Sequence, residues 1–206
     1  GLPAALQARD VVIGLRMGQA ENEKITATVG KLNRVIHGSG LTSRFISLFY
    51  GELDADGNLT YVNGGHCPPL LLTPEGETYE LKTCGPVLGP LPEATYSRAH
   101  VAIRPGEVVL LFSDGVTERL CAAPNCNGEL VNEPEELGRD GLVRLCLPHL
   151  EDNAEKIVER ILDGVRDFGG GRPFADDVSL MVIKRLPAQN YPPAEGLTRL
   201  SVDSRR

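Results

Sequence analysis

The chain has 206 residues and a formal net charge of −7 at neutral pH. A chain of this length can bury roughly 70% of the surface that it exposes when unfolded, so its folding needs neither disulfides nor a structural metal. Phosphate contacts need clustered Lys and Arg, and the acidic, patch-free composition argues against nucleic acid as the main partner. Apolar runs reach about five residues, far short of the roughly 20 that span a bilayer. Since no signal-peptide pattern opens the sequence, a cytoplasmic location is predicted.

Two helical patterns are predicted at the start of the chain. The first has its apolar residues at helical spacing, at Leu2, Leu6, Ile13 and Met17. The second, which is predicted to stop near Gly38, has them at Ile25, Val29, Leu32, Val35 and Ile36. These apolar faces could pack on a sheet or pair with a second copy of the chain, so a homodimer is left open.

A β-rich section follows the two helices. Two strand-like runs joined by Asp56-Gly57 predict a hairpin. Further strands, punctuated by Gly and Pro, are predicted in "PPLLLT", "ETYELKT", "SRAHVAI" and "GEVVLLFS".

The remaining elements are a polar loop over roughly 121–138, two helices and a last strand. Asn153 is predicted to cap the second helix, "NAEKIVERILDGVRDF", whereas Pro148 is out of place inside the first, "DGLVRLCLPHLE". The strand is predicted in "DDVSLMVIKR", and the stretch 187–206 is interpreted as a polar, Pro-containing tail. Because strict βαβ alternation is absent, the predicted fold class is α+β, an antiparallel sandwich covered by helices.

The five cysteines include no CxxC pair, so no zinc site is predicted. Cys121 and Cys126 flank the loop-like "AAPN" and could pair on oxidation. Reduced thiols are nevertheless expected, because disulfides are rare in cytosolic proteins.

Asp114 lies in "VVLLFSDGVTE", where an apolar strand runs into Ser-Asp-Gly and then into a helical pattern. A carboxylate at the end of a strand would suit a metal ion, and Gly115 would let the backbone turn sharply there. Asp is equally a favoured helix cap, and Glu118 follows it. The residues alone do not choose between a metal ligand and a cap.

Asp176 and Asp177 stand at the entrance of the last strand. Two strand ends that each carry Asp would suit a hard divalent cation such as magnesium or manganese. The alternative is an ordinary surface turn. Since adjacent side chains diverge, only one of the two is expected to bind a metal directly.

Two further motifs have more ordinary interpretations. "LDADGNLT" is similar to the nucleophile motif of haloacid-dehalogenase-like phosphatases, with Asp54 as the nucleophile, but Asn58 stands where Thr belongs and a strand follows. A hairpin turn is therefore preferred. His66 in "NGGHCPP" could be catalytic, although a histidine that fixes a turn by hydrogen bonding its backbone is commoner.

Taken together, "FISLFYGELDADGNLTYVNGGHCPPLLL", "GPVLG", "VVLLFSDGVTE" and "FADDVSLMVIKR" resemble the bacterial metal-dependent serine/threonine protein phosphatases of the PPM family. More narrowly, the chain resembles the stress-response and sporulation branch, which acts in partner-switching control of sigma factors. The match covers about residues 1–185. Residues 1–186 are interpreted as the phosphatase domain and 187–206 as a tail.

The resemblance implies a four-layer αββα sandwich of two antiparallel sheets flanked by helices, with a binuclear manganese or magnesium centre. Asp114 and Asp176 match metal ligands of the family, and Asp177 is a less direct candidate. The implied reaction is hydrolysis of phosphoserine or phosphothreonine by water activated at the two ions. The implied substrate is a phosphorylated anti-sigma-factor antagonist protein, and an upstream sensor or receiver domain is expected.

In the family, two acidic motifs precede the segment that matches "GLPAAL", and this chain begins at Gly1 of that segment. The sequence therefore lacks the N-terminal strands and the further metal-binding carboxylates of the family, and whether they exist upstream of Gly1 is left open. Little activity is expected from this polypeptide alone. The competing hypothesis is a catalytically inactive pseudophosphatase that docks a regulatory partner. A dehalogenase-like enzyme that uses Asp54 is the third.

Overall fold

The computed structural model describes residues 2–39, 45–121, 135–187 and 200–203. These residues form two antiparallel sheets with accompanying helices, which confirms the α+β class. The helices are α1 (Leu2–Ala20), α2 (Ile25–Gly38), α3 (Asp114–Thr117), α4 (Gly138–Cys146) and α5 (Ala154–Phe168). The strands are β1 (Leu48–Leu53), β2 (Asn58–Gly64), β3 (Leu70–Leu72), β4 (Thr78–Glu80), β5 (Arg98–Ala102), β6 (Val108–Phe112), β7 (Leu180–Lys184) and β8 (Leu200–Asp203).

The chain divides into two compact units, each assembled from separate stretches of sequence. The first unit comprises Gly1–His66, Lys82–Ala102 and Ala194–Arg206, and the second comprises Cys67–Leu81 and Ile103–Pro193. The first unit contains the sheet β1-β2-β5-β8 with α1 and α2. The second contains the sheet β4-β3-β6-β7 with the other three helices.

The predicted hairpin of the first unit is confirmed. β1 and β2 pair from Leu48↔Gly64 to Leu53↔Leu59. The Asp54 carboxylate accepts hydrogen bonds from the Asn58 backbone N–H (2.8 Å) and from its side-chain amide (2.9 Å). Asp54 is thus engaged in the turn itself, which agrees with the hairpin interpretation and not with a nucleophile.

The first predicted helix is confirmed as α1, but three of its predicted apolar residues remain exposed. Leu6, Ile13 and Met17 are 45%, 47% and 59% exposed, whereas Val11 is buried. The helix packs instead through two glycines, because a Cβ at Gly14 or Gly18 would overlap side chains of α2. Helical spacing identifies an apolar face, but it does not reveal that small residues allow closer packing on another face.

α2 buries Ile25, Val29 and Leu32 as predicted, whereas Val35 is 67% exposed. Asn33 on the same helix is fully buried. Burial of its amide is tolerated because the amide is hydrogen-bonded to backbone groups of a loop.

The buried amide of Asn33 holds the loop that carries "GPVLGPLP". Its Nδ2 donates to the carbonyls of Leu91 (2.7 Å) and Pro92 (3.2 Å), and its Oδ1 accepts from the Gly89 N–H (2.8 Å). Nδ1 of His37, one helical turn further along α2, lies 2.7 Å from the Gly89 carbonyl oxygen. α2 and this loop are therefore joined by polar contacts as well as by packing.

The second unit has a continuous hydrophobic core. β6 is its central strand and pairs with β3 and β7. The α5 residues Ile157, Ile161 and Val165 recur every four positions and are fully buried against this sheet, as an amphipathic helix requires. Asn153 caps α5 as predicted, since its side chain accepts a hydrogen bond from the Lys156 N–H at 2.9 Å.

Pro148 causes no disruption, because α4 ends before it. α4 stops at Cys146 and a short 3₁₀ turn spans Leu147–His149, with the proline in its first positions. A proline is tolerated there because the N–H that it lacks would have no helical partner.

The cysteines differ in part from expectation. Cys121 is disulfide-bonded, so the expectation of reduced thiols is wrong for this residue. That expectation rests on how rare disulfides are in cytosolic proteins, which carries no information about local geometry. Cys126, the predicted partner, lies outside the described residues. Cys67, Cys84 and Cys146 are free.

The buried Cys146 predicts a loss of stability at alkaline pH. Burial raises the pKa of its thiol from 9.0 to about 12. The unfolded chain therefore loses this proton above pH 9 while the folded form keeps it, and the stabilisation present below pH 9 falls as pH rises toward 12. Between about pH 8 and about pH 10.5, urea unfolding should show the native chain losing about 2 kcal/mol more than Cys146→Ala. Equal losses in the two proteins would contradict this.

None of the helices in the described part of the chain combines the length and the apolar composition needed to cross a bilayer. β8, which lies within the stretch 187–206, pairs antiparallel with β5. The division into a domain over 1–186 and a tail over 187–206 remains a prediction.

Candidate metal site

Asp114 is the first residue of α3, directly after β6 and Ser113. Its carboxylate is exposed, and Oδ1 accepts a hydrogen bond from the next residue, the Gly115 N–H, at 2.9 Å. The N-cap position belongs to Ser113, whose side chain makes no capping hydrogen bond. The predicted cap role therefore falls one residue away from Asp114, and its carboxylate faces solvent at low desolvation cost.

Pairing of β6 with β7 brings the Asp176-Asp177 segment beside Asp114. The register ends at Phe112↔Leu180, and the Ser113 N–H continues it by donating to the Ser179 carbonyl at 3.0 Å. The Ser113 hydroxyl donates to the Asp177 carbonyl (3.0 Å) and accepts from the Ser179 N–H (2.9 Å). Ser113, the residue before Asp114, is thus hydrogen-bonded to the backbone of Asp177, another predicted ligand.

Gly115 permits this close approach. A Cβ on Gly115 would lie 2.6 Å from the Asp177 carbonyl oxygen and 3.3 Å from that of Asp176. Real Cβ atoms do not approach backbone oxygen so closely, so only glycine fits between the two segments. The Ser-Asp-Gly motif therefore has a structural explanation at each position next to the aspartate.

Asp176 and Asp177 are both exposed, and the Asp176 carboxylate accepts a hydrogen bond from the Asp177 N–H at 2.7 Å. Oxygen donors of this kind suit hard divalent cations. Within the described residues, however, no three His, Cys, Asp or Glu side chains are arranged to hold a metal ion. The aspartates present fit such an ion chemically and would supply part of a ligand set.

The pKa of the Cys67 thiol is affected by the negative charge of Asp114. Burial raises the pKa of its thiol, and the charges of Asp114 and Glu118 raise it further. No signal in the sequence selects Cys67, because the catalytic candidate in its motif, "GHCPP", is the neighbouring histidine.

His66 lies in the first unit. Its backbone turn is fixed by Asn63, whose side chain accepts from the His66 N–H (2.8 Å) and donates to the His66 carbonyl (3.1 Å). His66 Nδ1 lies 3.2 Å from the Ser47 hydroxyl. The turn expected around His66 is present, and a fully buried Asn63 holds it.

Comparisons with known proteins show which family the chain belongs to. Residues 1–186 match the family model of Stage II sporulation protein E (SpoIIE). Phosphoserine phosphatase RsbU of Bacillus subtilis (strain 168) is 29% identical over 190 residues, which are 90% of this chain and 52% of RsbU. The chain therefore spans about half the length of this relative.

Two solved structures share the fold. The structure of the RsbU and RsbW domains of Rv1364c from Mycobacterium tuberculosis superposes with a TM-score of 0.68 at 21% identity, covering 91% of this chain and 51% of that one. The catalytic domain of serine threonine protein phosphatase PstP, in complex with two manganese ions, gives a TM-score of 0.52 at 17% identity, covering 86% and 80%. With the family match over nine-tenths of its length, the chain belongs to the SpoIIE family, which confirms the resemblance read from its motifs.

Proposed function

We propose that the chain is the catalytic part of a metal-dependent protein serine/threonine phosphatase. The observation that carries this proposal is that hydrogen bonds hold the segment of Asp114 beside the segment of Asp176 and Asp177. The Ser113 hydroxyl makes these bonds, to the backbone of Asp177 and Ser179. A scaffold without chemistry would not need two exposed, uncompensated aspartate segments held this closely. Membership of the SpoIIE family and the likeness to RsbU, a phosphoserine phosphatase, support the same conclusion.

Asp114 and Asp176 would be the protein ligands of a binuclear manganese or magnesium centre, with Asp177 beside them. The two manganese ions of the PstP structure support this assignment. When bound, a pair of such ions supplies a water of lowered pKa and neutralises charge on the phosphoryl group. Six or more oxygen ligands surround such ions, so waters and residues outside the described set would complete the coordination.

The chain's own residues would position the ions. Asp114 presents its carboxylate at the start of α3, and Ser113 holds the β7 side at a fixed distance from it. Fixed geometry matters here because catalysis by metal and charge depends on groups that need not reorganise during the reaction.

The proposed substrate is a phosphoserine or phosphothreonine on a small regulatory protein, an anti-sigma-factor antagonist in a partner-switching system. An upstream sensor or receiver domain would control the activity, and the protein would act in the cytoplasm. Pairing of two copies remains a further possibility that the exposed apolar residues of α1 allow.

The experiment that tests this function is hydrolysis of a chromogenic phosphate ester and of a phosphoserine peptide with added Mn²⁺. It would compare this chain with a form extended upstream of Gly1, each also measured in excess EDTA. Mn²⁺-dependent hydrolysis by the extended form, abolished by EDTA, is the expected result. If neither form hydrolyses either substrate while both remain folded, the docking-module hypothesis takes its place.

A further inference from the structure

The side chain of Arg119 is buried in the second unit, with 5% of the residue exposed. Its guanidinium donates to three backbone carbonyls, those of Val165 (3.4 Å), Arg172 (2.6 Å) and Pro173 (2.8 Å). Its Cζ also lies 4.3 Å from the centroid of the Phe174 ring. Burying a charged group is costly unless its donors are paired, and here the backbone provides the partners.

These contacts connect the segment that contains Asp114 to the segment that contains Asp176. Arg119 follows Asp114 by five residues, and its partners at 172–174 immediately precede Ala175 and Asp176. Ser113, on the other side of Asp114, bonds to the residues that follow Asp176. The two acidic segments are thus connected twice, once on each flank of the aspartates.

The segment that Arg119 holds is exposed and contains two glycines in the left-handed region. Gly170 and Gly171 have positive φ values of 52° and 82°, and residues 170–177 are exposed. Glycine in such a stretch gives the backbone more freedom than any other residue. Without the guanidinium, the residues before Asp176 would lose the hydrogen bonds that Arg119 makes to the carbonyls of Arg172 and Pro173.

Gly169 makes room for the guanidinium. It caps α5 with φ −79° and ψ −7°, a conformation that any residue adopts. A Cβ at this position would nevertheless overlap Nη2, Cζ and Nε of Arg119. Gly169→Ala would therefore displace the Arg119 side chain without straining the backbone and without removing the arginine.

We propose that Arg119 is a positioning residue for Asp176, and that it sets the affinity of the site for divalent metal by holding residues 172–174. This inference rests on the proposed metal-dependent function. A purely structural alternative exists, because a cation near the last carbonyls of α5 also stabilises the helix end. The two differ in whether loss of Arg119 changes metal binding or only stability.

The test measures Mn²⁺ binding by titration calorimetry and amide hydrogen exchange by mass spectrometry, on the form extended upstream of Gly1. Arg119→Met and Gly169→Ala are expected to weaken Mn²⁺ binding about tenfold to hundredfold, the range seen when residues supporting metal ligands are lost. Exchange should accelerate in residues 170–177 and stay unchanged in β3 and β6. Arg119→Lys keeps the charge but not the planar guanidinium with its several donors. It should bind Mn²⁺ more tightly than Arg119→Met and less tightly than the native protein.

Arg166→Met is the matched control, since Arg166 is exposed on α5 and pairs with Asp163. It should leave both measurements at the native values. Native Mn²⁺ affinity in Arg119→Met and Gly169→Ala, or faster exchange throughout the second unit, would overturn the inference alone. Absence of Mn²⁺ binding by the unsubstituted protein would instead overturn the proposed function and the inference with it.

Discussion

Asp114→Asn is expected to lower Mn²⁺-dependent phosphate-ester hydrolysis at least about 100-fold. The proposed metal centre would stabilise transition-state charge by several kcal/mol, and each 1.4 kcal/mol corresponds to a factor of ten in rate. The fold should be unaffected, because Asp114 is exposed and an asparagine oxygen can still accept the hydrogen bond from Gly115. Steady-state kinetics over a Mn²⁺ series on the form extended upstream of Gly1, together with the melting temperature, would measure both effects.

Asp140→Asn provides the control for this substitution. Asp140 is also an exposed aspartate in the first turn of a helix of the second unit, and it lies outside the candidate site. Its variant should retain native activity. Asp176→Asn should resemble Asp114→Asn, whereas Asp177→Asn should lose less if its role is indirect. An active Asp114→Asn protein would remove this residue from the ligand set.

Gly115→Ala is expected to reduce Mn²⁺ affinity about tenfold or more while leaving all three aspartates in place. The added methyl would lie 2.6 Å from the Asp177 carbonyl oxygen, so the two acidic segments would have to separate. Overpacking of this kind costs about 1–3 kcal/mol, and the nearest atoms are backbone, which cannot rotate away. Titration calorimetry with Mn²⁺ and thermal unfolding in EDTA would separate lost affinity from lost stability.

Gly38→Ala serves as the comparison, because a Cβ at Gly38 meets nothing within 4 Å. That variant should bind Mn²⁺ as the native chain does, with stability equal or slightly higher, since alanine favours a helix over glycine. Unchanged Mn²⁺ affinity in Gly115→Ala would show that the spacing between the two segments does not control the site.

Much of the fold follows from local signals in the sequence. Asp56-Gly57 predicts the first hairpin and Asn153 the start of α5, because a turn and a cap each depend on few neighbouring residues. The packing of α1 was not predictable in this way. Gly14 and Gly18 place that helix against α2, and the fit between two helices is a property of both surfaces together.

The candidate site shows the same distinction. Each aspartate could be assigned to a strand end from the apolar run beside it, and family resemblance supplied the metal. Their proximity depends on β6 pairing with β7, whose partners Phe112 and Leu180 are far apart in sequence. Arg119 had no signal at all, since a single arginine after a short helix resembles any surface charge until its three carbonyl partners are located.

The interleaving of the two units has a consequence for how the protein is made. The chain passes from one unit to the other at four points, and β5 acquires its outer neighbour, β8, from residues about 100 positions further along the sequence. Contacts between residues so distant in sequence slow folding, because the entropy of closing the long loop is lost before the contacts form and stabilise the fold. During synthesis, the first sheet therefore keeps an unpaired edge along β5 until β8 has left the ribosome, and unpaired edges are where nascent chains associate wrongly.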